Sequence, residues 1–239
     1  MKRTGTGIVI CMLLSGGSLV QAQQAASTFR VKPGEDPVKV IPVELQYRYP
    51  SFQKGKVTYM NGNFTAATFN YSNLLGEVQF ITPKGDTMAL AGEPSLVSVL
   101  VGESTYLHNK EEEFLEVVAD FNAVKLGKKQ KLEFAGADKV GAYGQASGAS
   151  SIRNTSTVIG SNSQSYALQQ KGDVVFSEKV AYFLVDERNQ FYKVTKPSIL
   201  KLFPKHRKEI NAYLKEHSPN LSNEEDLKKL LQFSTNLGV

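Results

Sequence analysis

Histidine is the side chain best suited to moving protons near neutral pH, and the chain has His108, His206 and His217. His206 and His217 fall on one predicted helix, on the same face but about 16 Å apart at 1.5 Å per residue. They cannot share a metal ion. Both lie on the stripe of Ile210, Tyr213 and Leu214, so they read as half-buried amphipathic side chains; a catalytic imidazole needs a partner at hydrogen-bond distance. His108 precedes Asn109-Lys110-Glu111-Glu112-Glu113 and reads as part of a solvated loop. The serines fare no better. Gly144-Gln145-Ala146-Ser147-Gly148 puts its serine one place too late for a nucleophile elbow. Gly136-Ala137-Asp138-Lys139-Val140-Gly141 has the glycine spacing of a phosphate loop, but Ala142 stands where lysine must reach phosphate. Both are loop composition. Glu35-Asp36 and Glu111 to Glu113 are sequence neighbours and do not straddle a cleft as paired carboxylates must in glycoside hydrolysis. The residue pattern therefore assigns no catalytic group, no metal ligand and no cofactor. Tyr143, Gly144 and Arg153, in a long Gly/Ser-rich loop, remain as candidate binding residues.

The single cysteine, Cys11, is removed from contention by its place. Lys2 and Arg3 precede an apolar stretch from Gly7 to Leu14; Leu19-Val20-Gln21-Ala22 follows, with Val20 and Ala22 at the −3 and −1 positions. That is the layout of a secretory signal over residues 1–22, cleaved after Ala22. The apolar run is too short and too glycine-broken for a permanent membrane span. Cys11 lies inside it behind Ile10, the wrong place for lipid attachment. The mature chain then has no disulfide, no thiolate site and no cysteine nucleophile. It keeps roughly 215 residues, enough to bury a sizeable core without staples. Export without disulfides fits a bacterial periplasm or outer membrane. Losing Lys2 and Arg3 from 28 basic residues leaves a mild excess over 23 acidic ones. The basic clusters Lys125 to Lys131 and Lys201 to Lys208 read as a charged hairpin tip and a solvated helix face. A nucleic-acid footprint would be larger and interleaved with stacking aromatics.

The elements that must position any site are mostly strands. Residues 23–37 are polar, with Pro33 and Pro37, and read as a flexible leader. Val38 to Ile41 is a predicted strand ended by Pro42. Lys56 to Tyr59 and Phe64 to Tyr71 flank Asn61-Gly62, a strong hairpin signal that predicts positive φ at both turn residues. Glu77 to Ile81, Thr87 to Leu90, Leu96 to Val101, Ser104 to Leu107, Phe114 to Ala119, Phe121 to Leu126 and Lys131 to Phe134 continue the series through short turns. Such close strands must pair antiparallel. Residues 136–165 form the Gly/Ser-rich loop, a length that marks function or disorder. Ser165 to Leu168, Val174 to Phe176, Ala181 to Val185 and Phe191 to Val194 are further strands. The period then changes to that of helices. Pro197 opens one through Phe203, Pro204 another to His217, and a Ser222 to Glu225 capping box a third along Leu227, Leu230, Leu231 and Ser234. The predicted class is mainly β: an antiparallel meander, sandwich or open barrel-like sheet over 38–195. A tail of two to three short helices over 196–239 belongs to the same domain.

The stretches Phe203-Pro204-Lys205-His206-Arg207-Lys208-Glu209-Ile210, Tyr213-Leu214-Lys215-Glu216-His217 and Asn223 to Leu230 carry a resemblance, as do Tyr49-Pro50-Ser51-Phe52, Lys54-Gly55-Lys56-Val57, Asn70-Tyr71, Phe80-Ile81, Gly85-Asp86-Thr87 and Gly141-Ala142-Tyr143-Gly144. In these the chain is similar to a group of uncharacterised exported proteins from Bacteroidota. The resemblance covers most of the mature chain. It implies a Gram-negative periplasm or outer-membrane setting and implies no activity. In that setting Asp86-Thr87-Met88 fits an O-glycosylation acceptor pattern at Thr87. The expected function is a non-catalytic binding or interaction module of the cell envelope, with an envelope protein, lipid or glycan as partner. Nucleic acid and a transmembrane helix are not expected. The alternative is an envelope hydrolase whose acidic residues come from separate strands, which requires a deep polar pocket with convergent acids or histidines.

Overall fold

The computed structural model describes residues 28–32, 35–109, 113–137, 139–140, 146–147 and 173–238. The strands are β1 (Thr28–Val31), β2 (Gln53–Tyr59), β3 (Phe64–Ser72), β4 (Glu77–Ile81), β5 (Thr87–Ala89), β6 (Leu96–Val101), β7 (Ser104–Asn109), β8 (Glu113–Asp120), β9 (Val124–Ala137), β10 (Lys139–Val140), β11 (Ala146–Ser147), β12 (Val174–Asp186) and β13 (Phe191–Lys193). The helices are α1 (Pro37–Val40), α2 (Val43–Gln46), α3 (Lys196–Leu202), a 3-10 turn (Pro204–His206), α4 (Arg207–His217) and α5 (Glu224–Asn236). Eleven strands form one open antiparallel sheet in the order β1-β12-β9-β8-β7-β6-β2-β3-β4-β5, with β13 also on β12. The meander is broken twice: β1 lies on β12, far from β2. After β5 the chain returns across the sheet, and β6 pairs with β2. No helix among the described residues is long and apolar enough to cross a membrane.

Several local expectations are corrected. Val38 to Ile41 is not a strand but a helical turn. The Asp36 side chain caps it by accepting from Val38 N, and Pro37 opens it, both established helix-start chemistry. Thr28–Val31, placed in the leader, is a strand on β12. At the β2–β3 hairpin only Gly62 has positive φ, and Gly62 N donates to Tyr59 O (2.9 Å). The turn is thus centred on Met60-Asn61, with glycine as the following bulge residue. The basic run Lys125 to Lys131 is no hairpin tip; it lies within β9, where Lys125 pairs with Asp120, Lys128 with Glu224 and Lys131 with Glu133. Val174 to Phe176 and Ala181 to Val185 are one strand, because the polar Ser177-Glu178-Lys179 between them stays paired to β9. Helix α5 is capped by Asn223, which accepts from Asp226 N, one residue after the predicted cap. The predicted stripe Leu227, Leu230, Leu231 and Ser234 is the face that α5 buries.

Most of the sheet's buried apolar side chains share one face. Registers 99↔106, 106↔116 and 116↔128 carry that face from β6 to β9, and alternation within each strand does the rest. Three clusters cover it. Val57, Phe69, Tyr71, Val78, Val99, Val101, Tyr106 and Phe114 pack inside the curl of β2 to β8. Leu126 and Leu184 are covered by Ile199, Phe203, Ile210, Leu227, Leu230 and Leu231 of the tail. Leu132 and Phe176 are covered by Val31, Ile41 and Leu74. The curl is tight enough for Leu132 N of β9 to donate to Asn73 O beside the end of β3 (2.7 Å), although four strands separate β9 from β3 in sheet order. Within the curl, Gly55 lets β2 and β6 come close: a Cβ there would overlap the Leu100 carbonyl of β6.

Leu230 is completely buried under the tail and Val43 is 48 % exposed. Leu230→Ala should therefore lower unfolding free energy by about 2–5 kcal/mol in urea titration, whereas Val43→Ala should stay within about 0.5 kcal/mol.

Candidate functional site

Two polar hubs and one apolar pocket lie on the buried face. The first hub is Glu116 on β8, 7 % exposed. Its Oε1 accepts from Arg48 Nε (3.2 Å), Arg48 Nη2 (3.1 Å) and Ser104 Oγ (2.7 Å). Ser104 Oγ in turn lies 2.9 Å from Tyr49 OH. Arg48 is delivered by the backbone: its N–H donates to Tyr71 O (2.9 Å), and Asn70 clamps Tyr49 N and O. Burial alone would make the guanidinium less basic, but the Glu116 hydrogen bond and charge raise its pKa on balance. Tyr106, opposite Glu116, stacks on Tyr71 at 4.9 Å and 14°. Burial, then the Glu116 charge, pushes the Tyr106 phenol far above its ordinary range. Its hydroxyl has no hydrogen-bond partner among the described residues. Glu116 fastens the segment before β2 across β7 and β8.

The second hub joins the tail to the sheet. Glu224, at the start of α5, lies 3.7 Å from Lys128 Nζ, 2.7 Å from Lys228 Nζ and 3.3 Å from Tyr182 OH. Desolvation favours its protonation, but the Lys228 hydrogen bond and the Lys128 charge win and hold its carboxyl below the ordinary 4.5. Burial and the same carboxylate push Tyr182 up to about 12.

The apolar pocket, about 280 Å³, opens at the end of the curl where the β2–β3 hairpin lies. Tyr59, Phe80 and Leu96 line it from the sheet, Met88 from edge strand β5, and Leu90 and Glu93 from the returning strap. The strap is held by Met60 N to Ser95 O (2.7 Å) and Leu96 N to Glu93 O (3.0 Å). It rests on His108: a Cβ at Gly92 would stand 2.5 Å from His108 Nε2. His108 is therefore not in a solvated loop but buried on β7, its ring 4.9 Å from Phe114. Met88 and Met60 are 53 % and 76 % exposed at this end. A second cleft, about 640 Å³, runs between α5 and the β8–β9 turn, past Phe121, Lys229 and Phe233. It is a shallow surface feature.

Tyr143, Gly144 and Arg153, the residues of the export signal and its cleavage point after Ala22, and most of 136–165 lie outside the described residues. Thr87 is the exposed first residue of β5, next to the Thr82–Asp86 turn. His217 packs on Tyr213 (4.3 Å), and His206 sits in the 3-10 turn before α4. Among the described residues no group of three or more His, Cys, Asp or Glu side chains is placed to hold a metal ion. Sequence reasoning missed Glu116, Arg48 and the pocket. One signal was present: Phe114-Leu115-Glu116-Val117-Val118 sets a lone charge inside an apolar strand, which demands a buried partner. Compared with family models, curated proteins and solved structures, the chain matches none significantly.

Arg48→Met should cost about 1–3 kcal/mol, because it strands the Glu116 charge while water reaches part of the site; adding Glu116→Leu should recover part of that loss in the same urea titration. Glu224 is more acidic folded than unfolded, so its stabilisation is complete above the ordinary glutamate value and is lost as pH falls through its lower folded value. Glu224→Gln should therefore lower stability at neutral pH and flatten the acid limb of the stability–pH curve.

Proposed function

We propose that the protein is a non-catalytic binding module of the bacterial cell envelope that receives an apolar group of its ligand in the strap-roofed pocket. The observation that carries this reading is the pocket itself: an apolar cavity at the mouth of the curled sheet, with the exposed thioethers of Met88 and Met60 at that end. Concave apolar sites with few polar groups are where proteins take small ligands, and methionine adapts to varied shapes. A cavity of about 150 Å³ accepts benzene, so this one has room for an aromatic ring or a short acyl segment. Glu93 on the lip disfavours an anionic head group. The envelope setting is supported by the secretory pattern of residues 1–22. The hydrolase alternative has less support, since the buried carboxylate of Glu116 is consumed by Arg48 and Ser104.

Titration with the neutral apolar fluorophore N-phenyl-1-naphthylamine should give saturable binding. Met88→Glu should weaken it at least tenfold with unchanged far-UV circular dichroism. Phe64→Ser, on the opposite face of the hairpin, should leave it intact. Binding that ignores Met88→Glu, or no binding at all, sinks the proposal.

A further inference from the structure

The strap-roofed pocket is apolar except at one point on its lip. Among the described residues that line it, Glu93 is the one that carries a charge. Tyr59 and Phe80 bring aromatic rings to the walls, and Met88 brings a thioether. Lys84 and Asp86 lie together in the turn before β5, where their opposite charges offset each other. Glu93 is set in place by its backbone. Its N–H donates to Ala91 O (3.0 Å), and its carbonyl accepts from Leu96 N (3.0 Å). The second bond closes the turn Glu93-Pro94-Ser95-Leu96, with proline where its fixed φ is favoured. Gly92 on one side is seated against His108, and on the other Met60 N ties the strap at Ser95 O (2.7 Å). The carboxylate therefore stands on a short segment held at both ends.

We infer that the ligand of this pocket is an organic cation, with an ammonium head group that meets Glu93 and an apolar or aromatic body that fills the cavity. The inference rests on the pocket reading above and adds to it the charge of the ligand. Charge complementarity selects this class. A carboxylate on the lip attracts a cation, repels an anion and does nothing for a neutral body. The walls agree, because aromatic faces attract cations, and quaternary ammonium groups are recognised in this way. Tyr59 and Phe80 supply such faces within the same cavity, and the thioether of Met88 adds a polarizable surface. A trimethylammonium group suits these walls, since it carries its charge behind methyl groups and brings no N–H that would be left without an acceptor.

The size of the preference follows from where Glu93 sits. The residue is exposed, so water screens its charge and an ion pair there contributes modestly. The apolar body supplies most of the affinity, and the carboxylate chooses between bodies that carry different heads. The choice depends on salt, because exposed charges are screened by added ions while apolar burial is not. Replacing Glu93 removes no buried contact, so the fold tolerates the change.

Competition against bound N-phenyl-1-naphthylamine at neutral pH and low ionic strength tests this, with octyltrimethylammonium and octyl sulfate as probes of equal chain length. The cation should displace the dye at a concentration about fivefold or more below that of the anion, and high salt should shrink the gap. Glu93→Gln should bring the two probes within about twofold of each other, and Glu93→Lys should reverse their order, both with unchanged far-UV circular dichroism. Each result is a ratio of two probes on one protein, so a change in dye affinity cancels. Equal displacement by the two probes, a lower concentration for the anion, or a preference that persists in Glu93→Gln overturns the inference and leaves the apolar pocket standing. Failure of the dye to bind the unaltered protein removes the pocket reading and this inference with it.

Discussion

A sheet with one apolar face must hide that face, and beside the open sheet of eleven strands the described residues form only the two-stranded β10–β11 pair. Here the cover comes from three sources. β2 to β8 curl until the face meets itself; the tail covers β9 and β12 at one end; the first helical turns and the loop after β3 cover them at the other. The last two coverings rest on β9 and β12, the longest strands. Their twist turns one continuous face toward different partners along its length. An extra residue at Val118 disturbs the β8–β9 register there and brings Val118 and Ala119 into the tail cluster.

The opposite face is not bare. Leu107, Leu115, Phe183 and Val185 form a small cluster there around Gly127, whose missing side chain lets Leu115 and Val185 close over it. This patch stiffens the junction between β8, β9 and β12 where the tail docks on the other side. The polar hubs reinforce the same geometry. Glu116 fastens the curl, and Glu224 fastens the tail to Lys128 and Tyr182, which face each other across β9 and β12. Each is a charge that would be costly unpaired, so each specifies one arrangement more than it adds net stability.

What was legible in the sequence was local. Gly62, Gly85 and Gly102 each take positive φ at a turn between paired strands, and Pro197 marks a helix start, while the start of α5 was read one residue early. The tail's buried stripe followed from its period. What was not legible depended on distance along the chain. Nothing near β5 announces that β6 will pair with β2, and Arg48 lies 68 residues from Glu116. The helical turn after Asp36 was missed because Val38-Lys39-Val40-Ile41 has a strand's composition, and the cap and proline before it outweighed propensity. His108 was misplaced because the acidic run after it suggested solvent, whereas its own strand position turns it inward beneath the strap.

The stacked pair Tyr71–Tyr106 has one more consequence. The chain has ten tyrosines and no tryptophan, so its near-ultraviolet spectrum belongs to phenols and phenyl rings alone. Two nearly parallel phenols at 4.9 Å, immobilised in the curl, form a coupled chromophore whose optical activity exists only while β3 and β7 keep their spacing. Tyr182 and Tyr213, set against the tail, report a different region. The protein carries its own intrinsic optical gauge, able to distinguish loss of the curl from loss of the tail without any label.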